Sequence, residues 1–344
     1  MIKLKTVKDS VLTFILFSVI GALCLLSASA KSGALSGIKM CEKIIIPSLL
    51  PVLIISNLII KTACSEIIER LFGRIYEKIF RLPSSTVSAV ILGLIGGYPT
   101  GTVLTRELYK KGHIDSRTAE RIMHFNICGG GAFIITAVGT VTYGSTKTGL
   151  LLFLSNVLSA LIIMLFERKT NCRTTKKQKE KTDPDFSFAL SDSAETAVKA
   201  IAMLSAYIIL FSALYGIINP PSRLAPLLEI TNGICLAKNP LPLPYCAFFL
   251  SFGGFCIHLQ LIGYLKEMKL KYREFLLYRM ISALLSFFIM KTYLYFFPQE
   301  AEVFNNLSSR SHEFTNGSLA LSLIMIIGCA VIVFDIESRK LKLI

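Results

Sequence analysis

The strongest constraint on this chain is an uncharged apolar stretch, Thr86 to Leu104, that is interrupted by Gly96-Gly97-Tyr98-Pro99-Thr100-Gly101. Three glycines and a proline so close together cannot continue a regular helix. Non-helical backbone at membrane depth is tolerated only where it is buried in protein or lines a water-filled cavity. The stretch therefore predicts the tip of a re-entrant hairpin, an element with which transporters bind substrate.

A similar interruption recurs at an offset of 157 residues, where Gly253-Gly254 takes the place of Gly96-Gly97. At the same offset the apolar run 44–60 coincides with the apolar run 201–217. Internal symmetry with interrupted hydrophobic segments at matching places is typical of secondary transporters. Because each copy contains three predicted crossings and one hairpin, we expect the second copy to be inverted relative to the first.

The composition excludes an ordinary soluble domain, because 53% of the residues are hydrophobic and only 17% are charged. A net charge of +15 would suit nucleic acid, but the basic residues lie in short loops beside apolar spans. That placement is typical of cytoplasmic loops, so the predicted partner is the lipid bilayer and not nucleic acid. The nine cysteines are scattered without a C-x-x-C pair, which predicts free thiols and no metal or other cofactor.

The predicted fold is all-α and polytopic, with inverted repeats, about seven to eight transmembrane helices and two re-entrant hairpins. The segments follow one another as an extra N-terminal transmembrane helix at 1–30, a first repeat at 31–166 with its hairpin at 84–111, a basic cytoplasmic linker at 167–186, a second repeat at 187–336 with its hairpin at 240–268, and a tail at 337–344. Within the first repeat, Lys61 to Leu82 has helical apolar spacing and many charges, which predicts an amphipathic helix in the interface.

Polar side chains beside the breaks are the candidate binding groups. Asn126 precedes a second glycine break in the first repeat, and its amide either faces a ligand or makes a helix–helix hydrogen bond. His258 and Gln260 follow the second tip. A lone histidine is usually structural, but a protonated one would favour an anion. Free backbone N–H groups at glycine breaks and helix N-termini also favour a carboxylate.

Charged groups past the first tip need partners. Arg106 and Glu107 lie about one and a half turns beyond it, where they would reach a polar cavity or pair with groups elsewhere. The sequence contains no P-loop, no nucleophile elbow and no metal-binding His/Glu pair, so we expect neither ATP coupling nor an enzyme.

The order of these motifs resembles the sporulation integral membrane protein YlbJ (SpoVV) family, within the nucleoside-recognition or gate domain group. The residues that carry the resemblance extend over most of the chain: Gly97-Tyr98-Pro99-Thr100-Gly101, Leu108-Tyr109 with Gly112 and Ile114, Ala119-Glu120-Arg121, Phe125-Asn126, Glu229-Ile230-Thr231-Asn232-Gly233, and Phe252-Gly253-Gly254 with His258 and Gln260. Two positions depart from the family pattern, since Ile127 replaces a second asparagine and Gly131 replaces a proline.

The resemblance implies a secondary-type transporter that moves dipicolinic acid from mother cell toward forespore, and structural kinship with concentrative nucleoside carriers. It also implies a bacterial cell membrane location, the mother-cell-derived outer forespore membrane, with a homo-oligomer or other sporulation membrane proteins as further partners. Alternatives are a carrier of nucleosides or other organic anions, and a non-transporting scaffold for spore assembly. A polar central cavity would favour a carrier, and a dry core with internally paired polar groups would favour a scaffold.

The predicted substrate-binding residues lie at the two tips, before the second break of the first repeat and in a short polar segment of the second repeat: Gly97, Tyr98, Pro99, Thr100, Gly101, Asn126, Glu229, Thr231, Asn232, Gly253, Gly254, His258 and Gln260. The predicted ligand of this set is a small organic anion.

If the two tips form one site, replacing Gly97 or Gly254 with leucine will abolish transport and leave membrane insertion intact, because a side chain would block close approach of the backbones. Transport by reconstituted protein and its recovery in the membrane fraction are the two measurements. Normal transport by either variant would contradict the two-tip arrangement.

Overall fold

The computed structural model describes residues 2–169, 186–221, 223–235, 240–297 and 326–327, and its regular elements there are helices. Residues 170–185 of the predicted linker and the predicted tail lie outside the described residues. So do residues 298–325 and 328–336 of the predicted second repeat.

Eight α-helices form the first half of the described chain: α1 Ile2–Leu25, α2 Ser27–Met40, α3 Ile46–Lys61, α4 Cys64–Phe80, α5 Val87–Gly96, α6 Thr100–Lys110, α7 Ser116–Phe125 and α8 Thr146–Phe166. Two π-helical segments add to them, Cys41–Ile45 between α2 and α3, and Phe133–Thr142 before α8. Asp115 caps α7, since its carboxylate accepts a hydrogen bond of 2.8 Å from the backbone nitrogen of Thr118.

Six α-helices form the second half: α9 Phe186–Ile218, α10 Ala225–Leu228, α11 Ile230–Cys235, α12 Leu243–Phe252, α13 Gly254–Glu267 and α14 Tyr272–Phe296. The break at 253–254 separates α12 from α13, as the sequence predicts. Leu243–Glu267 is nevertheless long and apolar enough to cross a membrane as one broken helix. α12 packs against α14 and α8. α13 packs against α9, α10 and α6, so the helices on the two sides of the break have different neighbours.

Five described helical stretches are long and apolar enough to cross a membrane: Ser27–Lys61, Thr146–Phe166, Phe186–Ile218, Leu243–Glu267 and Tyr272–Phe296. The bent pair Cys64–Phe80 and Ser84–Gly96 would make a sixth. In the predicted N-terminal crossing, Ser10–Leu25 is apolar but shorter than the others. The described residues confirm an all-α polytopic architecture, and a total of seven to eight crossings stays a prediction.

The amphipathic helix predicted over Lys61 to Leu82 is present as α4. It exposes apolar side chains such as Leu71 and Ile75 and buries Tyr76 on the opposite face. The chain bends by 113° between α4 and Ser84–Gly96. The buried Arg121 side chain binds this corner by donating hydrogen bonds to the carbonyl oxygens of Phe80 and Arg81.

The internal repeat is visible in the helix boundaries. At the offset of 157, Ser27–Lys61 falls on α9, which begins only two positions later than that alignment requires and ends with it. In the same alignment α5 falls on α12, and α6 falls on the C-terminal part of α13. Three pairs of repeat-equivalent helices are in contact: α2–α3 with α9, α6 with α13, and α7 with α14. The two copies therefore share helix lengths and breaks, and they pack on one another.

The longest of these contacts is antiparallel and uses small residues. A β-carbon at Gly33 would lie 2.1 Å from the carbonyl oxygen of Ser212, and one at Gly216 would lie 2.4 Å from that of Ser29. At the other end, the Lys61 ammonium is 2.7 Å from the Asp192 carboxylate. Small residues let membrane helices approach closely enough for dispersion and backbone contacts to hold them.

The direction of packing differs among the three pairs. Antiparallel packing of α2–α3 with α9 is what an inverted repeat requires of equivalent crossings. By contrast, α6 and α13 run side by side in the same direction, because Tyr98 contacts Leu250 near their starts and Arg106 contacts Glu267 near their ends. The inverted sense of the repeat stays a prediction.

Replacing Gly33 with alanine will destabilise the protein by about 1–3 kcal/mol, because the added methyl group must force α2 and α9 apart. Thermal unfolding in detergent, followed by circular dichroism, measures this effect. The matched control is Gly21→Ala, since a β-carbon at Gly21 meets no atom within 4 Å. Equal melting temperatures for the two variants would contradict close packing at Gly33.

Candidate functional site

The first tip and the second glycine break of the first repeat stack backbone against backbone. Gly97 has a φ of +73°, and a β-carbon there would lie 2.0 Å from the backbone nitrogen of Gly130. A β-carbon at Gly101 would lie equally close, 2.0 Å from the carbonyl oxygen of Asn126. The backbone nitrogen of Tyr98 donates a 2.9 Å hydrogen bond to the carbonyl oxygen of Cys128. Glycine is therefore required at both positions by contact, as well as by conformation at Gly97.

Tyr98 connects this junction to the second tip. Its hydroxyl donates a 2.7 Å hydrogen bond to the carbonyl oxygen of Leu250, near the end of α12. Its ring also lies beside Gly253, whose φ is +95°. Pro99 follows a cis peptide bond and precedes α6. The predicted tip residues of both repeats thus meet at one place, which we call the break junction (97–101, 126–131 and 250–254).

Arg279, which sequence reasoning did not single out, lies at this junction. It is on α14 and is only 1% exposed. Its guanidinium donates hydrogen bonds to the carbonyl oxygens of His124 at 2.6 Å, of Ser251 at 3.4 Å, and of Ile127. These carbonyls stand at the ends of α7 and α12, where helices leave oxygens without intrahelical partners and carry partial negative charge. The sequence did contain a signal for Arg279, because an ionisable residue inside an apolar span usually marks a functional site.

No carboxylate of the described residues lies within ion-pairing distance of Arg279. The charge is compensated there by carbonyl dipoles alone, together with a ring contact to Phe275 at 5.8 Å. A buried guanidinium without a carboxylate leaves the junction electrostatically favourable to an anion.

Asn126 and Thr100 have unused hydrogen-bonding capacity at the junction. The Asn126 amide nitrogen donates to the carbonyl oxygen of Ala89 at 3.2 Å, which is the helix–helix bond considered from the sequence. Its amide oxygen, like the Thr100 hydroxyl, has no hydrogen-bond partner among the residues that the structure describes. Both side chains are buried, and leaving such groups unpaired costs about 1–3 kcal/mol each.

The polar segment of the second repeat is organised by Glu229. Its carboxylate accepts hydrogen bonds from the backbone nitrogens of Thr231 at 2.8 Å and Asn232 at 2.6 Å, which caps α11. The Asn232 side chain donates to the hydroxyl of Ser212 on α9. This segment reaches the second tip through its backbone, since a β-carbon at Gly254 would lie 2.9 Å from the carbonyl oxygen of Pro226. Glu229 and Asn232 therefore hold structure beside the junction.

His258 lies in an aromatic cluster beside the second tip, between Phe252 and Phe275. One ring nitrogen is 3.0 Å from the carbonyl oxygen of Phe252, and the other is 2.8 Å from the hydroxyl of Tyr272. A carbonyl can only accept, so Nε2 donates and Nδ1 accepts from Tyr272. Both nitrogens are used within the protein, which favours the structural alternative for His258 over an anion ligand.

Gln260 lies apart from the other candidates. It is buried on α13, and neither its amide nitrogen nor its amide oxygen has a partner among the described residues. It lines a cavity of about 380 Å³ between α6, α9 and α13. Arg106 lines the same cavity and also pairs with Glu267, so both alternatives expected for it occur together. Glu107 does not line the cavity and lies 3.5 Å from Arg106. We call this space the α6–α9–α13 cavity.

The described residues contain no group of three or more metal-ligating side chains, and their cysteines are free thiols. Glu267, on the rim of the α6–α9–α13 cavity, pairs with Arg106 at 2.5 Å. The described site is therefore built from glycine-permitted backbone contacts, amides, hydroxyls and cations, with the carboxylates of Glu229 and Glu267 beside them.

Comparisons with known proteins connect this arrangement to one relative. Over 301 residues the chain is 26% identical to the sporulation integral membrane protein YlbJ of Bacillus subtilis (strain 168), covering 72% of this chain and 73% of the relative. The similarity to YlbJ extends over most of both chains, in agreement with the resemblance that the motifs show. No protein-family model matches this chain, and no solved structure does. The several apolar crossings, together with similarity to a relative that is named an integral membrane protein, make this protein an integral membrane protein.

The residues that carry the YlbJ resemblance fall into two groups in the structure. Gly97, Tyr98, Gly101 and Asn126 meet at the break junction with the second tip, and the segment at 229–233 supports that tip from behind. His258 and Gln260 point to different surroundings, an aromatic cluster and a cavity. Membership of the gate domain group stays a prediction.

Replacing Tyr98 with phenylalanine will lower the free energy of unfolding by about 0.5–1.5 kcal/mol, because the bond to the Leu250 carbonyl is lost. Chemical or thermal unfolding in detergent measures the change. Tyr295→Phe is the control, since the Tyr295 side chain is exposed. A cost no larger than that of the control would show that the two tips are not joined through Tyr98.

Proposed function

We propose that this integral membrane protein is a secondary-type carrier of a small organic anion, and that the anion is dipicolinate moved from mother cell toward forespore. The observation that carries the proposal is Arg279. It is a fully buried cation in a membrane-crossing helix, at the meeting point of two interrupted helices, and no carboxylate of the described residues faces it.

A buried arginine is costly to maintain. Placing a charged side chain at the centre of a membrane helix costs about 2.5–3.5 kcal/mol on insertion scales. Intramembrane ionisable residues therefore mark substrate or ion pathways by default. An anion that reached the junction would meet two donors, the Arg279 guanidinium and the unused hydroxyl of Thr100. The unused amide oxygen of Asn126 can only accept a hydrogen bond, so it would face a neutral donor and not a carboxylate.

The break junction also supplies parts that can move. Separate helices meet there, and the link from Tyr98 to the second tip is a single hydrogen bond, so α6 and α13 can shift as units without breaking their own backbone ladders. Alternating access in transporters with internal repeats comes from movement of one bundle against another around a fixed site. The repeat-equivalent helices in contact across this molecule fit that requirement.

The relative supports a role in the membrane during sporulation, because it is named a sporulation integral membrane protein. Dipicolinate is a dianion at neutral pH, so the resemblance and the charge of Arg279 agree on the sign of the substrate. With transport proposed from mother cell toward forespore, we place the protein in the mother-cell-derived outer forespore membrane.

A specific observation favours a second candidate, a membrane scaffold without substrate flux. His258, Glu229 and Tyr98 all complete hydrogen bonds inside the protein, as expected of a dry, internally paired core. A carrier of another organic anion would use the same groups as a dipicolinate carrier, and a nucleoside carrier is a further alternative. It would use the free amide and hydroxyl groups and would not need Arg279.

In proteoliposomes, labelled dipicolinate will enter with saturable kinetics, and Arg279→Gln will reduce uptake at least about tenfold, because a charge-assisted hydrogen bond is worth roughly 1.5–3 kcal/mol. Arg279→Lys will keep part of the activity, since it keeps the charge. Lys291→Gln on the same helix is the control, because Lys291 is exposed.

Competition separates the alternatives in the same assay. Uridine that competes better than a plain dicarboxylate would overturn the substrate and keep a carrier. Folded protein that takes up none of the three compounds would favour the scaffold. Uptake by folded Arg279→Gln at the rate of the original protein would remove Arg279 from the site.

A further inference from the structure

The α6–α9–α13 cavity lies where the two repeats face each other. At the offset of 157, Val103 is equivalent to Gln260, Arg106 to Gly263, and Lys110 to Glu267. All six of these residues line the cavity. Residues of both copies therefore surround one space, which places the cavity at the interface between the repeats. In transporters with internal repeats, substrate sites lie at the interface between the repeats.

The equivalent positions differ in chemistry. Where the first repeat has the apolar Val103, the second has the amide of Gln260, which is buried and without a partner among the described residues. Packing alone gives no reason to bury an unpaired amide, since leaving one unsatisfied is unfavourable. A ligand in the cavity would supply an acceptor for its N–H groups.

The Glu267 carboxylate forms ion pairs with the cations at the rim of the cavity. It is 2.5 Å from the Arg106 guanidinium and 3.3 Å from the Lys110 ammonium. Lys199, which also lines the cavity, pairs with Glu195 at 2.5 Å. The Glu267 side chain is 45% exposed, so it can turn into solvent without losing hydration. A ligand carboxylate could then take its place on Arg106 and Lys110.

We propose that the α6–α9–α13 cavity is a binding site for a small aromatic dicarboxylate. Arg106 binds one carboxylate, the Gln260 amide binds the other end of the ligand, and Glu267 holds the cations until the ligand displaces it. This inference rests on the proposed function and names a second position on the path, separate from Arg279.

Size and shape agree with this ligand class. A volume of about 380 Å³ is at the small end of ligand pockets, which run from roughly 300 to 1,000 Å³. Tyr264 lines the cavity, and its ring centroid is 5.5 Å from the Arg106 guanidinium carbon. Val103 and Met203 add apolar surface for a ring. Gln260 is about two helical turns beyond Gly253 on α13, so the cavity and the break junction are neighbouring positions along one helix.

The test is equilibrium binding of dipicolinate to the purified full-length protein in detergent, by isothermal titration calorimetry. Arg106→Gln and Gln260→Leu will each weaken binding by about tenfold or more, because each loses a direct contact to a carboxylate. Glu267→Gln will tighten binding by about three- to tenfold, because it removes the competing carboxylate and leaves its volume unchanged. If the ion pair between Arg106 and Glu267 were purely structural, the two substitutions would change the affinity in the same direction.

A control variant and the uptake assay distinguish a failure of the cavity site from a failure of the carrier function. Glu107→Gln is the matched control, since Glu107 is 3.5 Å from Arg106 but does not line the cavity, and it will leave affinity within about twofold. Weaker or unchanged binding in Glu267→Gln would overturn the displacement. Unchanged affinity in folded Gln260→Leu and Arg106→Gln, with uptake still dependent on Arg279, would overturn the cavity site and keep the carrier. No binding by the original protein, with no uptake, would overturn both.

Discussion

The structure depends on one constraint, that backbone groups freed by broken helices inside a membrane must find partners within the protein. The chain meets it by bringing its breaks together. Tyr98 donates its backbone nitrogen to Cys128 in one break and its hydroxyl to Leu250 beside another, and Arg279 binds the helix-end carbonyls of His124 and Ser251. A side chain at position 97 would keep these backbones apart. The contact between the tips and the carbonyl contacts of Arg279 on α14 therefore meet the same requirement, that freed backbone groups find partners.

The two repeats contact each other in two different ways, and this difference bears on which helices can move. The copies pack through small residues along α2 and α9, where there is no room for rearrangement, and through polar and charged contacts between α6 and α13. Tight apolar packing resists displacement because interiors are close-packed, whereas an exposed ion pair is worth only about 0–1 kcal/mol. Motion is therefore expected at α6 and α13, the helices that bound both the break junction and the cavity.

Features set by local sequence were predictable, and features set by distant partners were not. The glycine breaks, the Asp115 cap and the amphipathic α4 depend on neighbouring residues, and the structure has all three. The role of His258 depends on Tyr272 and Phe252, which surround it only in the folded chain. Two of the carbonyl partners of Arg279, those of Ile127 and His124, lie more than 150 residues earlier in the chain. The sequence could therefore show a charged residue within an apolar span, but not what that residue binds.

The most direct measurement of the carrier claim is counterflow in proteoliposomes that are preloaded with unlabelled dipicolinate. An alternating-access carrier returns to the outside faster when it carries substrate back, so the account predicts that external labelled dipicolinate will accumulate transiently above its equilibrium level. Vesicles without internal dipicolinate will show no overshoot. Equal label uptake by loaded and empty vesicles, with folded protein confirmed, would contradict the account and leave a channel or a scaffold.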